Sequence, residues 1–373
     1  MVVQYKCPNC GADMAFDSTT GMLHCDYCGN NAHIEDVPEQ DGSQQDSQKA
    51  FHQNHNSTKA EDISWGTEDT SYSRDAPHFG EDDVKEYHCK NCGAVLITDK
   101  DTTATTCSFC GAGMVLGDRL TGSLAPAKVI PFSINKEQAK EAFRKWCRKG
   151  LLTPKGFMTA DRIKNITGMY VPFWLFDLNG RGDVNATCTR VRTFTQGDYI
   201  YTETKYYNVY RNVDLNYLKV PADASAKLDD ELMDKLEPYN YNNLKNFNMP
   251  YLAGYIAEKY NYDDKDLFPR VRQRVEPYIN SFIDSTIRGY ATTTYHNKNI
   301  NLREIHADYV LLPVWMVCYD YKKSEHIFAM NGQTGKIVGK PPLSKGKIAA
   351  WFGGISGIAF IIMQLITFVT GGF

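Results

Sequence analysis

Eight of the chain's eleven cysteines form two quartets: Cys7, Cys10, Cys25 and Cys28, then Cys89, Cys92, Cys107 and Cys110. Each quartet reads CxxC, fourteen residues, CxxC. A glycine follows every pair, at Gly11, Gly29, Gly93 and Gly111, which suits a knuckle that turns tightly and aims backbone N–H groups at sulfur. Two such pairs on facing hairpins offer four thiolates in a tetrahedron. Structural zinc takes that shell and leaves no position for a catalytic water, so the spacing predicts two structural Zn2+ sites. Four thiolates also suit rubredoxin-type iron, and the same residues can make a disulfide framework. His24, His33 and His88 lie nearby without a vacancy to fill, and Lys6 and Lys90 are placed to offset the negative charge of the thiolates.

The remaining chemistry is sparse. There is no GxSxG, HExxH, Walker or kinase signature, so no catalytic residue is expected. Cys147 falls on the apolar stripe of a predicted helix and reads as core. Runs such as Asp229-Asp230-Glu231 and Asp263-Asp264 read as solvated faces. Tyr199, Tyr201, Tyr206, Tyr207 and Tyr210 could line a groove, but sheet packing accounts for them more simply.

Elements that would position these groups can be read in order. Ribbons are expected at 1–34 and 87–118, joined by an extended linker over 35–86. From Glu35 to Glu86 there are 14 acidic and 4 basic residues, too little apolar content to fold alone, with Ile63-Ser64-Trp65 as an isolated apolar island. An α+β domain of mainly antiparallel strands should occupy 119–345. It begins with a strand over Ala127 to Phe132 and a helix capped by Asn135 and Gln138, closing at Gly150. Tyr170 to Phe176 then reads as a strand, with Asn179-Gly180 as its turn. Ile200 to Val220 reads as a hairpin or meander, and helices are expected at Leu228 to Leu236, Tyr251 to Tyr260 and Leu267 to Arg288. Pro277 should kink or split the last of these. Tyr170-Val171-Pro172-Phe173-Trp174 and Leu311-Leu312-Pro313-Val314-Trp315 suggest a degenerate repeat, each proline marking a bulge or an edge.

The last stretch, Ile348 to Thr370, carries no charge. Twenty-three helical residues reach roughly 35 Å, enough for a bilayer core of about 30 Å. Lys336, Lys340, Lys345 and Lys347 precede it, so the positive-inside rule puts the preceding bulk in the cytoplasm and the C-terminus outside. The N-terminus lacks the pattern of a signal peptide, and a reducing compartment favours metal over disulfide for the quartets. Within the span Ala349, Gly353 and Gly357 recur every four residues, a stripe that lets another helix approach. A net charge of -3 with 42% hydrophobic residues argues against a dedicated nucleic-acid binder.

The motifs CPNCGADM, CSFCGA, TGMYVPFWLFDLNG, KLEPYNYNNLKNF, YLAGYIAEKY, LLPVWMVCYDY and AMNGQTGKIVGKPP resemble a bacterial family of membrane-anchored double zinc-ribbon proteins, often labelled TFIIB-type zinc-ribbon proteins. The resemblance covers nearly the whole chain outside the acidic linker. It implies partners of two kinds, an SPFH-domain (flotillin-like) protein and a phage-shock-protein-A-like protein, and hence a non-enzymatic adaptor or scaffold in a membrane or envelope-stress response. The alternative from a different class is a nucleic-acid-binding ribbon regulator tethered to the membrane, whose binding would fall steeply with salt. An enzyme working on a lipid or small ligand in the tyrosine-rich domain is a third.

Overall fold

Apolar runs in the first 120 residues are cut short by knuckles and turns, so only brief strands form there. In the computed structural model these are β1 (Val2–Val3), β2 (Ala15–Asp17), β3 (Met22–His24), β4 (Asn31–Ala32), β5 (Val84–His88), β6 (Val95–Asp99), β7 (Thr102–Thr106) and β8 (Gly113–Leu116). Then follow β9 (Lys128–Val129), α1 (Lys136–Arg148), β10 (Thr167–Gln196), β11 (Tyr199–Asp223), α2 (Asp230–Lys235) and β12 (Lys245–Asn246). The chain continues with β13 (Ile256–Glu258), α3 (Asp264–Thr286), β14 (Thr292–Tyr321), β15 (Ser324–Asn331), β16 (Ile337–Gly339) and α4 (Lys345–Val369). The structure describes residues 2–36, 84–90, 92–107, 112–120, 125–148, 150, 152–154, 157, 166–321 and 324–369. Cys110, Gly111, Thr370 and most of the acidic stretch, including Ile63-Ser64-Trp65, lie outside them.

One mixed sheet of eleven strands organises the body, in the order β1-β8-β7-β13-β10-β14-β15-β16. Beside this path β11 pairs with β10, β9 with β14, and β12 with β9. Two pairings are parallel, β10 with β13 and β14 with β9. Separate small sheets hold β2-β3-β4 and β5-β6.

Three very long strands, β11, β10 and β14, extend from this body as an arm. Here the structure corrects the expected turn at Asn179-Gly180, which lies within β10, Asn179 pairing with Asn216 and Arg303. The hairpin turn falls later, at Gly197, whose φ of +62° suits a left-handed position. Gly180 and Gly182 serve packing. A Cβ on Gly180 would lie 2.8 Å from Ile279 Cδ1, and one on Gly182 would lie 2.9 Å from Ile283 Cδ1. Their bare backbone lets α3 lie flat on the arm, burying Leu267, Val271, Val275, Ile279 and Ile283 at four-residue spacing.

Two further expectations change. Helix α3 is continuous through Pro277, which sits on its exposed face; the carbonyl its missing N–H leaves free can meet water there. The stretch Tyr251 to Tyr260 is not a helix. It starts in a 3-10 turn over Met249–Leu252 and becomes β13, because Gly254 takes φ +87°. Ala257 then pairs with Tyr170 on one side and Ala104 on the other, so sheet pairing overrides the local pattern.

Corresponding contacts relate β9-α1-β10-β11 to β13-α3-β14-β15. Asn135 and Gln138 cap α1 reciprocally at 2.9 and 3.0 Å; Asp263 and Asp266 do the same for α3 at 2.8 and 3.2 Å. The Trp315 indole N–H donates to the Ile134 carbonyl at 3.0 Å, and Trp174 donates to Tyr262 at 3.0 Å. Each acceptor immediately precedes a helix cap. Pro172 sits where the neighbour of β10 changes from β13 to β11, and Pro313 where that of β14 changes from β9 to β15. Neither proline interrupts a ladder, since the flanking strand switches at that point. Beyond them the Ala224 N–H donates to Pro172 at 3.0 Å and the Gly332 N–H to Pro313 at 2.8 Å.

Candidate metal centres

Four sulfurs converge in the first quartet because two knuckles face each other across β2 and β3. In each, the first cysteine's N–H donates to a carbonyl five residues on, Cys7 to Ala12 at 2.8 Å and Cys25 to Asn30 at 2.9 Å. The glycine N–H returns to that cysteine's carbonyl, Gly11 to Cys7 and Gly29 to Cys25, each at 2.8 Å. Gly11 and Gly29 have φ of +75° and +72°, values that a side chain would strain. The Sγ atoms of Cys7, Cys10, Cys25 and Cys28 all lie within 4.8 Å of one another. Cys7 and Cys28 are 3.6 Å apart, and Cys10 and Cys25 are 3.5 Å apart.

The second site repeats this geometry. Cys89 and Cys107 donate to Ala94 and Ala112 at 2.8 Å, and Gly93 returns to Cys89 at 2.8 Å with φ +75°. The sulfurs of Cys89, Cys92 and Cys107 cluster within 4.8 Å, with Cys92 to Cys107 at 3.7 Å. Cys110, expected as the fourth ligand, is outside the described residues.

These separations fit a bound ion. A tetrahedron with metal–sulfur bonds of about 2.3 Å has edges of about 3.8 Å, whereas a disulfide needs about 2.05 Å. Electrostatics agree. Burial pushes the Cys7 thiol up, but N–H groups of Cys10 and Asn9 outweigh it and bring it to about 6. For Cys10 the Ala12 N–H lowers the value, yet burial and the neighbouring Cys28, Cys25 and Cys7 sulfurs raise it to about 12. Four thiolates this close repel unless a cation sits among them. Such an ion would crosslink two knuckles, and the cysteine shell leaves it no open position.

Sequence reasoning missed two amide donors. Asn30 Nδ2 reaches Cys7 Sγ at 3.7 Å and Gln4 Nε2 reaches Cys89 Sγ at 3.9 Å. Asn30 was within reach of inspection, directly after the Gly29 knuckle; Gln4 was not, since it belongs to the run leading into the other quartet. Residues 2–7 therefore touch both sites: Val2 and Val3 pair with Leu116 and Val115 of β8, Gln4 meets Cys89, and Cys7 is a ligand of the first quartet. Lys6, expected to offset thiolate charge, pairs with Asp13 at 2.6 Å. His24 bonds Asn31 at 2.7 Å.

Other predicted residues separate from these centres. Cys147 packs with Trp146 against the main core, and burial raises its thiol to about 11. Tyr199, Tyr201, Tyr206 and Tyr210 are paired strand residues of β11 whose side chains are exposed on the arm, Tyr201 stacking on its cross-strand partner Phe194 at 5.6 Å; Tyr207 stacks beneath Arg190. Lys345–Phe368 forms a 24-residue helical stretch of mean hydropathy 1.8, long and apolar enough to cross a membrane, with none of its apolar window buried. A Cβ on Gly353 or Gly357 would meet nothing within 4 Å, so the stripe with Ala349 faces open space.

A Bacillus subtilis (strain 168) protein, the uncharacterized protein YdjG, is 55% identical over 372 residues, covering 100% of this chain and 99% of the relative. No family model matches the chain. No solved structure matches it.

Proposed function

The chain belongs to the family of YdjG from Bacillus subtilis, and on that footing we propose that it is a non-enzymatic, membrane-anchored scaffold. The two cysteine centres hold zinc and stiffen the N-terminal part of the body, and α4 spans the bilayer. The observation that carries this reading is the complete exposure of the apolar window in α4. Leaving about twenty apolar side chains in water is costly, at about 25 cal/mol per Å², and a bilayer removes that cost. Lys336, Lys340, Lys345 and Lys347 place the body in the cytoplasm by the positive-inside rule, where thiolates stay reduced and available to zinc.

The partners follow from the family resemblance: an SPFH-domain protein, with a phage-shock-protein-A-like protein beside it, in a response to membrane or envelope stress. Helix–helix contact through Ala349, Gly353 and Gly357 is a route by which α4 would select a membrane partner. Endogenous-level affinity purification from membranes, with alkaline extraction and metal analysis, tests all three parts. Expected are retention in the extracted membrane, about two zinc ions per chain as the closed quartets require, and co-purification of the SPFH-type protein. Release by alkaline extraction would refute the anchor. Recovery from membranes without either partner, when both are expressed, would refute the scaffold.

A further inference from the structure

A groove of about 550 Å³ opens between α2 and the β15–β16 edge of the sheet, within the size range of small-molecule sites. Leu232, Met316, Ile327 and Val338 give it an apolar lining, and its charged lining sets Lys227, Lys235 and Lys340 against Asp229 and Glu231. Asp229 fixes the helical wall, its carboxylate accepting the Leu232 N–H at 2.7 Å as the cap of α2. Gly339 fixes the other wall. It takes φ +147°, and a Cβ there would lie 2.3 Å from Phe328 Cδ1, so bare backbone lies on that ring and delivers Lys340 to the groove.

The charges of Lys235 and Lys340 both act on Glu231 and lower its carboxyl, Lys235 by direct pairing. An anion entering the groove would meet both. Lys345, where α4 begins, is five positions beyond Lys340, so the start of the apolar helix lies at most about 18 Å from Lys340. Lys336, Lys345 and Lys347 add positive charge along the same short stretch.

We propose that this groove binds one anionic phospholipid from the bilayer that α4 enters, its acyl carbons on the Leu232–Val338 floor and its phosphate between Lys235 and Lys340. The inference rests on the reading of α4 as a membrane span. An apolar lining beside lysines matches an amphiphile better than a soluble anion, because a free phosphate would leave that lining wet.

The test uses the full chain in nanodiscs holding equal phosphatidylglycerol and phosphatidylcholine, with retained lipid read by native mass spectrometry. Insertion is measured first: a chain that fails to enter nanodiscs refutes the span and this inference with it. For an inserted chain the expected result is one retained phosphatidylglycerol. Lys235→Gln with Lys340→Gln should weaken its retention roughly 25-fold, at about fivefold per basic residue near an anionic headgroup. Leu232→Glu, which charges the floor, should abolish retention while the zinc content stays unchanged. Both variants keep α4, Lys345 and Lys347. Undiminished retention in both would locate the lipid along α4 and overturn the groove assignment. Displacement of the lipid by millimolar inorganic phosphate would overturn it too, making the groove a site for free phosphate.

Discussion

The two cysteine centres share a sequence pattern but are joined to the body by opposite means. The first is fused through side chains: Met14, Phe16, Leu23, Cys7 and Cys25 belong to the main core, with Phe16 edge-on to Tyr251 at 5.3 Å. Its β2-β3-β4 sheet stays separate, with the Phe16 N–H donating to Ala253 at 3.0 Å. The second is fused through the backbone. Strands β7 and β8 belong to the eleven-stranded sheet, and Ala104 pairs with Ala257. Val2, Tyr87, Leu96, Met114 and Leu116 form a satellite core around its cysteines, while Ala104 and Val115 of β7 and β8 face the main core. Identical cysteine spacing thus gives one candidate metal site beside the shared core and one beside a satellite core. Loss of metal should spread further from the first than from the second.

The largest expected effect tests that difference. Cys7→Ser with Cys10→Ser should lose one zinc and lower the melting temperature of the entire body. Exposure of Phe16, Leu23 and Met14 at about 1.5–3 kcal/mol each amounts to roughly 5 kcal/mol. Cys89→Ser with Cys92→Ser should also lose one zinc, but with hydrogen-exchange protection lost over 84–116 and retained in β10 and β14. Equal loss of protection in both variants would dissolve the contrast.

A smaller effect isolates packing from metal. Phe16→Ala should cost about 3–4 kcal/mol with both zinc ions kept, because it opens a cavity in the shared core. Leu96→Ala, at 9% exposure in the satellite core, should leave the main thermal transition nearly unmoved and increase protease cleavage around the second cysteine centre. Scanning calorimetry of the two variants reads this directly.

The smallest effect extends the comparison to the two β-α-β-β copies. Asp223 pairs with Phe173 as Asn331 pairs with Val314, and both are fully buried. Asn331 uses its amide to donate to Leu236 at 3.1 Å and Pro238 at 3.3 Å. Asp223 Oδ2 has no hydrogen-bond partner among the described residues, and burial raises its carboxyl to about 8 from an ordinary 3.8. Between those values the folded chain holds a proton that the unfolded chain has released, so stability falls as pH rises through that window. Asp223→Asn should remove this slope and gain about 1 kcal/mol at pH 8 by supplying a neutral amide. Denaturant melts at pH 5 and pH 8 measure it; an unchanged slope would show that Asp223 is ionised in the fold.

Local rules made several elements legible. The reciprocal caps of α1, the short helix α2 and the helical spacing of α3 depend on residues three or four apart, and each formed as its sequence indicated; the Asp229 cap of α2, in a run read as a solvated face, emerged only in the structure. Asn179-Gly180 misled because the same two residues that make a tight turn also make a bare strand for a helix to cover. Tyr251 to Tyr260 misled because its helical spacing was outweighed by strand partners far away in sequence.

What the sequence determined by itself was local and chemical. The clustering of seven described cysteines follows from CxxC spacing, since a knuckle closes within five residues. The apolar length of α4 follows from composition alone. Tertiary structure alone decided what each centre supports, that Gln4 and Asn30 reach the sulfurs, and that a groove opens between α2 and the β15–β16 edge. Those depend on pairings such as Val2 with Leu116 and Ala257 with Ala104, and long-range pairing is chosen by packing of the whole chain rather than by any short stretch of it.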